Sequence, residues 1–130
     1  MTGRVAGKIA LVTGGAQGLG EAAARMLARE GAKVAVSDVN ARGAEKVAAS
    51  INQSHPGAAI ALAHDVTRED QWQAVIAEIE RAFGGLHILI NNAGIGGGSD
   101  VESTSLEVWR RIHLVDLESV FLGCKSAIPL

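Results

Sequence analysis

The 130-residue sequence has no tyrosine, two phenylalanines, two tryptophans, two prolines and one cysteine, Cys124. Chemistry that needs a phenolic hydroxyl from this chain is excluded, and a single thiol closes no intrachain disulfide. Positive charge is not in excess: 12 Lys and Arg stand against 14 Asp and Glu, for a formal net charge of −2. Such a surface sets up no field for nucleic-acid phosphates or anionic lipid, so neither is an expected partner. Long apolar runs are also missing. Wholly apolar stretches such as residues 9–12 and 88–90 are short, far below the ~18 residues of a membrane-spanning helix. Met1-Thr2-Gly3-Arg4 shows no charged n-region or apolar h-region of a secretory signal. A reducing compartment, the cytoplasm, is the expectation. His55, His64 and His87 have no partners at metal-ligand spacing, so no metal site is expected.

What the sequence does have is 16 glycines and 48% hydrophobic residues, an apolar share that suits a parallel sheet covered on both faces. Gly and Pro divide it into short apolar runs alternating with stretches of helical spacing, which is the pattern of alternating β and α. Strands are expected over residues 8–13, 33–37, 59–63 and 87–91. Leu19, Ala22, Ala23, Met26 and Leu27 form the apolar stripe of a first helix that stops at Gly31. Asn40 caps a second helix, with Ala44, Val47, Ala48 and Ile51 facing inward. Thr67 with Asp70 reads as the start of a third, whose stripe is Trp72, Val75, Ile76, Ile79 and Phe83. A glycine-rich loop at residues 94–98 precedes Thr104, which with Glu107 reads as the next helix start. That last helix is apolar nearly all round and needs cover on two sides, with Trp109 and Cys124 expected inside. Strand four is apolar on both faces, as a central strand would be.

Four strand ends carry the candidate chemistry. Gly14, Gly18 and Gly20 lie between a strand and a helix, where a tight turn and free helix N-terminal N–H groups suit a pyrophosphate. No Gly-Lys-Ser/Thr follows, which argues against a P-loop. Asp38 ends strand two, eighteen residues past Gly20, close to the spacing of an acid that accepts from a ribose diol. The same carboxylate repels a 2′-phosphate, which favours NAD over NADP. Asp65-Val66 and Asn91-Asn92-Ala93-Gly94 follow strands three and four, on the edge where open α/β sheets bind ligands.

Thr13-Gly14-x3-Gly18-x-Gly20, Asp38, Asp65-Val66, Asn91-Asn92-Ala93-Gly94 and residues 109–123 together resemble the short-chain dehydrogenases/reductases, over nearly the whole chain. The resemblance implies a Rossmann-type doubly wound parallel α/β sheet, strand order 3-2-1-4, with residues 1–130 as one dinucleotide-binding domain. Strand four would then be an edge of the truncated sheet. It also implies NAD as cofactor: Gly14, Gln17, Gly18, Leu19 and Gly20 around the pyrophosphate and nicotinamide ribose, Asp38 and Val39 at the adenosine ribose, Asp65 and Val66 at adenine. Asn91, Asn92, Ala93 and Gly94 would buttress the sheet beside the cofactor, with Val115 nearby.

Family members move a hydride between nicotinamide and a secondary alcohol or carbonyl, using Ser, Tyr and Lys. Those three would lie beyond Leu130, and Asp116 stands at the family's Asn position. The isolated chain is therefore expected to be inactive and the full-length form a homo-oligomer. Residues 118–124 resemble bacterial 3β/17β-hydroxysteroid dehydrogenases. Asp116 also has a structural reading, an acid paired with His113. Two other function classes are a non-catalytic NAD-binding module or pseudoenzyme, and an S-adenosylmethionine methyltransferase. Thr13 and Asn91-Asn92-Ala93-Gly94 argue against the last.

Overall fold

A computed structural model describes residues 3–97 and 99–130. Met1 and Thr2, part of the start judged against a secretory signal, and Gly98, the last residue of the expected glycine-rich loop, lie outside the described residues. Four parallel strands form one sheet in the order β3-β2-β1-β4, with β1 at Ile9–Thr13, β2 at Lys33–Asp38, β3 at Ala59–Ala63 and β4 at Ile88–Ile90. Register pairs Val12 with Val36 and with Ile90, and Ser37 with Leu62. All four strands therefore end on one rim.

Alternating side chains supply two cores. On one face Val12, Val34 and Val36 pack against α1 (Gly18–Arg29) and α2 (Ala41–Ser54). On the other, Leu11 and Ala35 meet Trp72, Val75 and Ile79 of α3 (Glu69–Phe83) and Leu122 of α5 (Ser119–Ala127). The Asn40 cap forms as expected, its side chain accepting from Gly43 N.

Several expectations need correction. The inner line of α1 is Gly20, Ala24 and Ala28, whereas Leu19 is 84% and Met26 50% exposed. Small residues at i, i+4 let this helix lie close to the sheet, and closeness outweighs side-chain size. Thr67 does not cap α3; its hydroxyl and amide both donate to Asp65 Oδ1, and Arg68 occupies the cap. Thr104 likewise donates to Asp100 O, and Ser105 caps α4 (Leu106–His113) by accepting from Val108 N. Strand four is shorter than expected, because the His87 side chain already binds β1: its Nδ1 accepts from Ile9 N at 3.0 Å. It lies at the edge of the sheet and is only half-buried.

The last helical region is not one regular helix. A π-helical turn at Leu114–Glu118 separates α4 from α5. Trp109 is 52% exposed rather than in the core, and it stacks on His113 with ring centroids 3.7 Å apart. Helix α5 packs closely on α3 through Gly123, where an added Cβ would lie 2.7 Å from the Trp72 ring.

Candidate functional site

The rim carries a cleft of about 490 Å³. Thr13 and Asn92 close its base. Thr13 Oγ1 accepts from Asn92 N and Ala93 N, both at 3.0 Å, while Asn92 Nδ2 donates to the Thr13 and Gly14 carbonyls at 3.0 and 3.1 Å. The glycine turn is thereby clamped to the end of β4. On its other side the turn is tied to β2, since Gly15 N donates to Ser37 O at 3.0 Å and Ala16 N to Asp38 Oδ2 at 3.1 Å. Asp38 Oδ1 accepts from Asn40 N at 2.9 Å. This carboxylate therefore faces the glycine turn, and the capping of α2 belongs to Asn40.

Helix α1 opens beside the turn with no side-chain cap from Gln17, leaving its first N–H groups and positive dipole end toward the cleft. Gly18, at φ +59, has open space where a Cβ would stand, so a ligand can meet backbone there. Gly20 is needed for a different reason: a Cβ would lie 2.3 Å from Gly14 O and 2.4 Å from Asn92 Nδ2.

Asp65 Oδ1 takes both bonds from Thr67, and Asp65 N donates to Gln71 Oε1 at 2.6 Å. The Thr67 hydroxyl, and more weakly Arg111 and Arg68, hold this carboxyl below the usual carboxylate range. It is thus an ionised acceptor whose Oδ2 has no partner among the described residues. Val66 is buried, its carbonyl held by Trp72 Nε1 at 2.8 Å.

The cleft brings together Gly14, Gln17, Gly18, Leu19, Asp38, Val39, Asp65, Val66, Asn92, Ala93, Gly94 and Val115. Three expected residues do not line it. Gly20 lies behind the turn, and Asn91 points to α5, where its Nδ2 contacts Cys124 Sγ at 3.9 Å. Asp116 Oδ1 instead accepts from Ile95 N at 2.8 Å, so its contact is the loop after β4 and not His113. His113 Nδ1 bonds the Trp109 carbonyl. His64, Thr67, Ile95 and Arg111 also line the cleft, beyond the residues the sequence motifs mark. Arg111 was findable as the residue one helical turn before Val115, and His64 as a buried-strand neighbour of Asp65.

The arrangement suits an adenine dinucleotide: an uncapped helix start with open backbone for a diphosphate, and carboxylates at two adjacent strand tips for hydroxyl and amino donors. Among the described residues no cluster of potential metal ligands is present.

The family model described as short chain dehydrogenase matches residues 8–130, and the chain belongs to that family. It is 42% identical over 128 residues to a 3-beta-hydroxysteroid dehydrogenase of Comamonas testosteroni, covering 98% of this chain and 49% of that protein. It is 39% identical to an NADP-dependent (R)-specific alcohol dehydrogenase of Lentilactobacillus kefiri, covering 98% of this chain and 50% of the relative. The crystal structure of a 3-ketoacyl-(acyl-carrier-protein) reductase from Brucella melitensis complexed with NADH superposes with a TM-score of 0.90 at 38% identity, covering 96% of this chain and 50% of the reductase. The chain spans about half the length of the curated relatives it matches.

Proposed function

We propose that the cleft binds a nicotinamide adenine dinucleotide, NAD(H) in preference to NADP(H). In this reading the chain supplies the cofactor-binding part, residues 1–130, of an oxidoreductase acting on a secondary alcohol or its carbonyl. The observation that carries this is Asp38: its carboxylate is fixed at the tip of β2 against Ala16 N of the glycine turn, where it accepts from a ribose diol and repels a 2′-phosphate. The relatives named above include both an NADH complex and an NADP-dependent enzyme, so the preference rests on Asp38 and not on the likeness.

When bound, the nicotinamide supplies the hydride acceptor or donor. The chain's residues bind and orient. The α1 start and Gly18 backbone take the diphosphate, with Gly14, Gln17, Leu19 and Gly20 shaping the turn. The Asp65 oxygen left without a partner accepts from the adenine amino group, beside Val66 and Val115, and Val39 covers the ribose. Asn92 clamps the turn, Asn91, Ala93 and Gly94 buttress it, and Asp116 fixes the Ile95 backbone at the far end of the cleft.

The chain has no tyrosine for the acid/base step, so in this reading the isolated chain binds cofactor without turning over substrate. That absence also favours a second reading, a non-catalytic NAD-binding module. In-frame coding of Ser-Tyr-x3-Lys downstream of the Leu130 codon makes the chain part of an enzyme; its absence makes it a module. The complete form is proposed as a homo-oligomer, since Trp109, Leu117 and Phe121 are each more than half exposed along one helical region. One free thiol fits the cytoplasm.

Calorimetry with NADH and NADPH tests the binding reading, alongside an assay of NADH oxidation with a ketosteroid. Heat with NADH, at least tenfold weaker affinity for NADPH and no turnover are expected. No heat with NADH from folded protein overturns the assignment of the cleft, and turnover by the pure chain overturns the assigned roles.

A further inference from the structure

We infer that Ser37 and His64 form a buried positioning pair that fixes the Asp38 and Asp65 tips relative to one another for adenosine, and that stability is given up to keep it. The inference rests on the dinucleotide reading of the cleft. Each residue immediately precedes one of the two acids. Register pairing of β2 with β3 ends at Asp38 and Ala63. Past that point one backbone bond, His64 N to Asp38 O at 2.9 Å, and the Ser37 Oγ to His64 Nδ1 contact, also 2.9 Å, hold the strands together before they part.

Both side chains are buried, Ser37 at 0% and His64 at 2% exposure. His64 Nε2 has no partner among the described residues. That orphan assigns the tautomer. With the serine hydroxyl donating to Nδ1, the pair leaves one polar hydrogen unmet, on Nε2. With Nδ1–H donating to Oγ, the serine proton and the bare Nε2 would both lack partners. The imidazole then stands edge-to-face against Trp72, centroids 4.4 Å apart. Trp72 Nε1 in turn donates to Val66 O. A continuous buried path, Ser37 to His64 to Trp72 to the Val66 carbonyl, thus runs beneath both acid tips.

An apolar pair of similar shape would fill this place and leave no buried polar atom unpaired, and such a replacement of both partners can be nearly neutral or stabilising. The pair is therefore explained by what it positions. The double variant Ser37→Ala/His64→Leu is expected to melt no lower than the unmodified chain. It should bind NADH about tenfold more weakly, with AMP affinity, measured by competition against NADH, falling by the same factor. His64→Asn, whose side-chain oxygen is as many bonds from Cβ as Nδ1, should recover most of the loss.

Unchanged NADH affinity in the double variant overturns the inference and leaves the binding reading intact. A fall for NADH without one for AMP overturns it too, as does a variant that melts lower or fails to fold, which makes the pair a plain structural contact. Failure of the unmodified chain to bind NADH removes the dinucleotide reading itself, and the inference with it.

Discussion

At the strand ends, polar side chains are taken up by partners of the same rim: Asp38 accepts from the amides of Ala16 and Asn40, Asp65 accepts from Thr67, and Asn92 donates to the Thr13 and Gly14 carbonyls. Along α4 and α5 the reverse holds. Trp109 is 52%, Leu117 64% and Phe121 62% exposed, and the ring contacts here are with other surface residues, Trp109 on His113 and Phe121 near Lys125. The rim's polar groups find most of their partners within the chain; the helical face has apolar area that calls for cover. Positional accuracy and adhesive surface are therefore housed in different parts of the molecule, and they should respond differently to substitution.

Gly20→Ala is the strongest way to break the rim. Its Cβ would sit 2.3 Å from Gly14 O, so the turn or the helix must move. Denaturant unfolding should show a loss of about 2–3 kcal/mol, and the heat of NADH binding should vanish. Undiminished binding would mean that the turn is not the diphosphate site.

A change of pH should act next. Burial pushes the His64 imidazole from 6.5 down to about 4, with the Asp65 carboxylate opposing. The unfolded chain takes up a proton that the folded chain refuses. Excluding the proton costs nothing above pH 6.5, where His64 is neutral in both states, and stability falls as pH drops from 6.5 toward 4, by up to roughly 3 kcal/mol. Asp65, held below its ordinary value of 3.8, adds stability that is lost only as pH falls past that value. Unfolding curves at pH values across the upper window should slope for the unmodified chain and lie flatter for Ser37→Ala/His64→Leu.

The smallest effect on the rim should come from the other region. Phe121→Lys adds charge to exposed apolar surface, so stability should change by less than about 0.5 kcal/mol and NADH affinity should not change. Sedimentation should show less self-association than in the unmodified chain. Unaltered association would mean that this face is not the adhesive one.

The alternation of strands and helices was legible because apolar runs, glycine stops and helical spacing coincide, as they do around residues 33–54. Asp38, Asp65 and Asn92 were legible because strand ends in a parallel sheet share one rim. Other features depend on distances that spacing does not encode. The stripe of α1 holds in part, since Ala23 and Leu27 pack against the core, but its innermost line is Gly20, Ala24 and Ala28, whose value is their smallness. Trp109 was expected inside because the α4–α5 stretch is apolar all round, and periodicity does not say which side the sheet covers. Thr67 and Thr104 carry cap-forming hydroxyls, but acceptors at Asp65 and the Asp100 carbonyl took them first. The role of His64 is hidden in the sequence because its partner, Ser37, is far away along the chain.

The π-helical turn at Leu114–Glu118 makes the region sensitive to length. The wider turn holds one residue more than an α-helical turn, so deleting one residue within it would let an ordinary α-helix run through with Gly123 still facing the Trp72 indole and Lys125 still near Glu69. A deletion elsewhere in α4 or α5, with no bulge to absorb it, would swing everything after it by about 100° around the axis. Among related sequences, a one-residue gap within these five positions would signal a regular helix docked on the same side.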